Sequence, residues 1–140
     1  MAAIPESARE FLLTGPLGHM VTINSDGSPH VTLSWAGFEG DELVMATFYP
    51  DQRKIHNLRR DPRVVVSFQA NTPEGEGLHP YLVVEGQALI TEGGALDVMD
   101  DLANHYIGSG QIFPMRDAPE GAVIHIAVDR LYGQGPWRED

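Results

Sequence analysis

A chain of 140 residues has the size of one domain with one core, and 42% hydrophobic with 21% charged residues specifies a folded protein rather than a disordered tail. Twenty Asp and Glu against nine Lys and Arg give a formal net charge of −11, which repels phosphate backbones and argues against nucleic-acid binding. The absence of cysteine excludes thiol catalysis, disulfides and Cys-ligated metals; with no long apolar run and no basic leader, the expectation is a single domain over 1–140, cytoplasmic and away from membranes.

Residues 5–13 (PESAREFLL) predict a short helix, with Pro near its start and Ala8, Phe11 and Leu12 at helical spacing. The stretch HMVTINSDGSPHVTLSW reads as two strands around a Ser25-Asp26-Gly27-Ser28 turn, where Gly supplies the positive φ of a tight hairpin. Its second strand alternates apolar Val31, Leu33 and Trp35 with His30, Thr32 and Ser34. From the pattern alone, the hydroxyl face is more simply solvent-facing than ligand-facing. A Glu39-Gly40-Asp41 turn leads to a strand over 42–48. Pro50-Asp51 then punctuates the chain, and Asp51 is placed to cap a helix ended by Pro62, with Ile55 and Leu58 facing the core.

Residues 63–70 form a strand whose apolar run suggests burial on both faces, followed by a loop over 71–80 and a strand over 81–91. A helix over 94–106 carries Leu96, Met99, Leu102 and Ala103 on one side, and the last strand runs from Ala122 to Tyr132 before the tail GQGPWRED. Six short strands, mostly joined by tight turns, with three short helices predict a closed antiparallel barrel rather than a parallel α/β sheet.

The positive charge is concentrated. Arg53, Lys54, Arg59, Arg60 and Arg63 lie in one window of this acidic chain, opposed only by Asp61. Arg53 and Lys54 fall in the first turn of the predicted helix, where free N–H groups and the dipole already favour anions and cations are unfavourable. A phosphate or carboxylate ligand neutralises that conflict, with Arg as a two-pronged donor and Lys as a mobile charge. Arg59 and Arg60 sit in the last turn, where cations suit the helix without any ligand. Asp100 and Asp101 read as surface charge. The six histidines show no metal-ligand spacing, and no GxSxG, GxxxxGK[ST] or GxGxxG occurs, so no metal site and no catalytic residue is assigned.

The order of elements, with the phrases DGSPHVTLSW and RKIHNLRRDPRVVVSF, resembles the pyridoxamine 5′-phosphate oxidase-like split-barrel family, and more narrowly its actinobacterial branch that uses the deazaflavin coenzyme F420. The most specific part is the run built from Lys54, Asn57, Leu58, Asp61, Pro62, Arg63 and Val64. The resemblance implies a mainly β, six-stranded antiparallel split β-barrel with short flanking helices. It also implies a homodimer with two cofactor sites along its interface. On this reading Thr32 and Ser34 lie beside the cofactor ring, and Ala46, Thr47 and Phe48 with Arg53, Lys54 and Asn57 hold the phosphate end. Trp137 in the tail is expected either at a partner's cofactor pocket or packed on its own barrel. The implied activity is hydride transfer from reduced F420 to an unsaturated, planar conjugated small molecule. FMN in an oxidase or flavin reductase, and non-catalytic binding of a flavin or tetrapyrrole, stand as alternatives. The long basic C-terminal extension of true pyridoxamine phosphate oxidases is missing, so that activity is not expected.

Overall fold

The computed structural model describes residues 3–73 and 77–138, so the middle of the expected 71–80 loop lies outside the described residues. Helix α1 (Glu6–Leu12) is followed by β1 (Gly18–Ile23), β2 (Pro29–Ser34), β3 (Gly37–Glu39) and β4 (Glu42–Thr47). Then come α2 (Arg53–Arg60), β5 (Arg63–Gln69), β6 (Tyr81–Glu92), α3 (Ala95–Tyr106) and β7 (Ala122–Gln134). The strands form one seven-stranded sheet, β2-β1-β5-β6-β7-β4-β3, in which every pairing is antiparallel.

This is the mainly β split barrel expected, with seven strands in place of six. The additional strand is β3, only three residues long and paired with β4 across the Glu39-Gly40-Asp41 turn. Three residues cannot show an alternation, so nothing in the pattern marked it. The barrel is split because β2 and β3, the two edges of the sheet, do not pair with each other. Tyr106 of α3 ties the two sides instead. Its hydroxyl donates to the Pro16 carbonyl at 2.6 Å and accepts from the Ala36 N–H at 3.1 Å.

The core follows from the period of two along each strand. Met20, Val66, Phe68, Leu82, Val84, Ile124 and Ile126 point inward and are fully or almost fully buried. Helix α1 closes one opening with Phe11 and Leu12, and α2 contributes Ile55 and Leu58. Gly86 marks a bulge in the β6–β7 pairing, where a Cβ would lie 2.1 Å from the Ala127 carbonyl oxygen, so only glycine allows that approach. Two expectations change here. Strand β5 buries Val64, Val66 and Phe68 but leaves Val65 and Ser67 half-buried, so one face only is covered within the chain. Asp51 does not cap α2: the N-cap is Gln52, and no side chain caps the helix.

Trp137 packs on its own barrel. The tail folds back so that its ring stacks on Phe11 at 4.7 Å between centroids, and its Nε1–H donates to the Tyr81 carbonyl at 3.0 Å. At 5% exposure it is a core residue, which corrects its placement at a cofactor pocket. A large ring with one polar atom is favourably buried when that atom finds a carbonyl, as it does here.

Candidate functional site

The five basic residues of the sequence cluster separate by role. Arg63 is paired with Asp61 at 2.7 Å, which holds the Asp61 carboxyl down to about 2 through the hydrogen bonds it receives. Arg60 donates to the Ile23 carbonyl and approaches Asn57 Oδ1 at 3.5 Å, fastening the last turn of α2 to β1. Arg59 is exposed in the same turn. Arg53 is exposed as well; its charge adds to the hydrogen bonds from Ser28 that hold Asp26 of the β1–β2 turn below the ordinary carboxylate range. Lys54 is different. It is 8% exposed, forms no hydrogen bond or ion pair among the described residues, and burial pushes its ammonium below the ordinary lysine value.

A cation on a largely buried side chain without a counter-charge is costly, and here it lies in the first turn of a helix that has no acidic residue there and no side-chain cap. Both features favour an anion at this point. Asn57 lies one turn further along the same buried face of α2, and its amide donates to Thr22 Oγ1 at 3.1 Å and Asn24 Oδ1 at 3.0 Å. Both of its N–H groups are thus used to dock α2 on β1. The part the structure gives Asn57 is holding Lys54 in place.

Thr47 ends β4 on the inward face that carries Leu43 and Met45. Its hydroxyl donates to Gln52 Oε1 at 2.7 Å and accepts from the Tyr49 N–H at 3.2 Å, which shapes the turn into α2. Ala46 and Phe48 point the other way, into a second apolar cluster with Ala95 of α3, and Phe113 lies 5.1 Å from the Phe48 ring. Their side chains are packing groups. Of the three β4 residues expected at the cofactor, only Thr47 bonds the turn into α2, while the Ala46 and Phe48 side chains pack in the apolar cluster and have backbone groups alone to offer. Sequence pattern could not separate these parts, because all of β4 beyond Glu42 is buried.

On β2 the structure inverts the simpler reading of the alternation. Val31 and Leu33 face outward at 54% and 56% exposure, whereas His30, Thr32 and Ser34 turn inward and are half-buried. They stand opposite Thr22, Met20 and Gly18 of β1, all buried. The Ser34 hydroxyl donates to the Trp35 carbonyl at 3.0 Å. The Thr32 hydroxyl and His30 Nδ1 are buried without partners among the described residues. His30 was not singled out from the sequence, although its place in the same alternation as Thr32 and Ser34 was a usable signal.

Beside this region an aromatic group closes the split. Trp35 stacks on Tyr106 at 5.1 Å and meets Phe113 edge-on at 5.7 Å. The Tyr106 hydroxyl is pushed up to about 12 by burial and is engaged at both lone pair and proton, so it does not supply protons near neutral pH. A cavity of about 240 Å³ lies elsewhere, between α1, β3 and α3, walled by Leu12, Phe38, Val44 and Leu102. Among the described residues no buried polar side-chain atom is left unpaired there. Among the described residues, no group of three or more His, Asp or Glu could hold a metal ion, and no helix is long and apolar enough to cross a membrane.

The family model described as pyridoxamine 5′-phosphate oxidase matches residues 4–135. No curated protein matches the chain. Among solved structures, one named F420 Reductase is 22% identical, with 91% of this chain and 98% of that one covered at a TM-score of 0.72. The conserved hypothetical protein Rv2991 from Mycobacterium tuberculosis is 22% identical over 94% of this chain and 85% of its own, with a TM-score of 0.73. HupZ of Group A Streptococcus is 18% identical, with 99% of each chain covered and a TM-score of 0.66. At these identities the likenesses are likenesses of fold.

Proposed function

The chain belongs to the pyridoxamine 5′-phosphate oxidase family, and on that premise we propose that it is an oxidoreductase using a flavin-type cofactor, with the deazaflavin F420 as first choice and FMN as second. The observation that carries this reading is Lys54, buried and unpaired at an uncapped helix start, where a cofactor phosphate supplies the missing counter-charge. Arg53 at the same turn adds long-range attraction. Thr32 on the inner face of β2 offers a neutral hydrogen-bonding group suited to a ring. Choosing F420 over FMN is supported by the fold likeness to the F420 Reductase structure and by the sequence resemblance.

When bound, the deazaflavin would supply the hydride for reduction of an unsaturated, planar conjugated small molecule. The protein's own contribution is binding and placement. Lys54 and the first-turn N–H groups of α2 fix the anionic end, Asn57 and Arg60 hold that helix on β1, and β2 lines the inner wall. We further propose that the working unit is a homodimer.

Titrating the purified protein with F420 and with FMN, by fluorescence, tests the cofactor directly. The expected result is saturable 1:1 binding per chain, tighter for F420, followed by acceptor-dependent oxidation of reduced F420 in a panel of quinones and conjugated lactones. Binding of neither cofactor would sink the proposal, while binding of FMN alone would transfer it to the flavin.

A further inference from the structure

The cavity between α1, β3 and α3 lies on a seam in the core. Two of its walls, Val44 at 4% and Leu102 at 6% exposure, are buried, yet neither belongs to either of the two packed apolar clusters. Leu12 and Phe38 on one side lie with the first cluster, and Val98 of α3 on the other packs against the second. Between them about 240 Å³ is left unfilled. Protein interiors are otherwise close-packed, and apolar walls around a gap forgo the contacts that a ligand body restores. The mouth of this gap is charged. Glu39 and Asp101 are exposed there, and Arg9 and His105 are half-buried. Among the described residues none of these four side chains makes a hydrogen bond; the Arg9 guanidinium lies over the Phe38 ring at 6.0 Å and comes within 4.0 Å of Asp41.

We infer that this cavity is a second small-molecule site, separate from the Lys54 turn, and that it takes a hydrophobic amine, with an apolar ring body in the seam and an ammonium group at the mouth. Size sets the body. At about 240 Å³ the cavity is smaller than the roughly 300–1,000 Å³ of pockets for drug-sized ligands, so it admits a bicyclic body with a short side chain. Charge sets the head. Glu39 and Asp101 present two carboxylates against one guanidinium, and that guanidinium already has Asp41 beside it. The formal net charge of −11 adds the same sign at longer range. A carboxylate ligand gains Arg9 and is repelled by both acids. An ammonium is attracted by both, and its three N–H donors suit carboxylates and an imidazole nitrogen that have no other partners. Affinity comes from burying the ring body, whereas the exposed carboxylates contribute the choice of head group. An occupant touches α1, β3 and α3 together, and so braces the helix whose Tyr106 joins the two sides of the split.

The test titrates the full chain calorimetrically with tryptamine, 3-ethylindole and indole-3-acetate, which share one bicyclic body and differ in charge. The expected outcome is one tryptamine per chain, bound at least threefold more tightly than 3-ethylindole, with indole-3-acetate the weakest. Tryptamine should also raise the melting temperature. Leu13→Trp, at an exposed position on the rim, should obstruct the mouth, and Val98→Phe should fill the seam from α3; each should weaken tryptamine and 3-ethylindole at least fivefold. Asp101→Asn combined with Glu39→Gln, both at exposed positions, should bring tryptamine to the level of 3-ethylindole and leave 3-ethylindole within twofold of its wild-type value. Lys54→Met should leave tryptamine within twofold. Circular dichroism checks that the variants keep the fold, which the exposed positions of Leu13, Glu39 and Asp101 favour. Failure of all three probes to bind wild type overturns the inference. Indole-3-acetate as the tightest of the three overturns the choice of an amine. Tryptamine affinity unchanged in both Leu13→Trp and Val98→Phe puts the binding elsewhere and overturns the site. A loss in Lys54→Met merges the site with the cationic turn and overturns its separateness. No cofactor enters these titrations, so the inference and the cofactor proposal fail independently.

Discussion

Lys54 concentrates the physics of the site in one side chain. Its side chain is largely buried, its ammonium faces no anion among the described residues, and it stands at the positive end of a helix dipole, so all three circumstances oppose its charge. Burial lowers its folded value from 10.5, whereas the unfolded chain keeps the ordinary one, so between the two the unfolded state binds more protons. The stability of the unliganded protein should therefore rise with pH through that alkaline window, and Lys54→Met should abolish the rise. The same substitution should raise the melting temperature at neutral pH while weakening F420 or FMN by about 1.5–3 kcal/mol, the usual range for a charged hydrogen bond. Arg53→Ala, at an exposed position, should cost binding only about 0.2–1 kcal/mol. Arg59→Ala is the control and should change nothing. Differential scanning fluorimetry across pH with cofactor titrations of the three variants settles these outcomes. At this scale the sequence was partly legible. The charge imbalance pointed to the basic turn, but which cation is buried depends on how α2 docks on β1 through Asn57, a contact spanning 35 positions. The packing of the Ala46, Phe48 and Trp137 side chains was not legible for a related reason: apolar side chains pack equally well against a ligand or a core, and only tertiary contacts distinguish them.

The irregular connection from α3 to β7 behaves as an element in its own right, because Asp100 organises it. That carboxylate accepts from the Phe113 N–H at 2.8 Å and from Arg116 at 2.6 Å and 3.1 Å, and Arg116 also donates to the Phe113 carbonyl at 2.9 Å. Both backbone groups of Phe113 are thereby held, and its ring bridges Trp35 after β2 and Phe48 after β4. Where the connection enters β7, Gly121 passes so close to the end of β4 that a Cβ would meet the Thr47 carbonyl oxygen at 2.1 Å. Read from sequence, Asp100 was surface charge, since its partners lie 13 and 16 positions away in a stretch without periodicity. Asp100→Asn should free the segment, seen as faster amide hydrogen exchange over 108–121 with β5 and β6 unchanged. The hydrogen bonds from Arg116 and Phe113 hold this carboxyl below 3.8, so the tie should persist down to that pH and be lost as pH falls through the lowered value. Tyr106→Phe removes the hydroxyl that joins Pro16 to Ala36 and should cost about 1–3 kcal/mol in urea unfolding, because it strands buried backbone groups.

For the whole molecule, strand count and antiparallel order were nearly legible, because period-two runs and Gly turns are local signals, whereas the position of the split depends on non-local pairing. The split matters for what the outer surface does. Along β2, β1, β5, β6 and the end of β7, the apolar residues that alternate with the core are Leu33, Val31, Val21, Val65, Val83 and Tyr132, and the same register places His19, Ser67, Glu85 and Arg130 among them on the outer face. Val31 and Leu33 are more than half exposed, and Tyr132 is 37% exposed. An exposed apolar edge strand with unpaired backbone groups is a poor surface for a monomer, prone both to burial and to edge pairing. A twofold copy of the same face covers it with like residues, as isologous interfaces do. The protein should therefore sediment as a dimer at micromolar concentration. Leu33→Asp, and more strongly Val31→Asp with Leu33→Asp, should shift it to monomer with the dimer dissociation constant raised at least tenfold. Neither position touches the inward face of β2, so the monomeric variant should keep its secondary structure by circular dichroism. Wild type sedimenting as a stable monomer would refute the dimer outright. A dimer indifferent to both substitutions would move the interface to another face of the barrel.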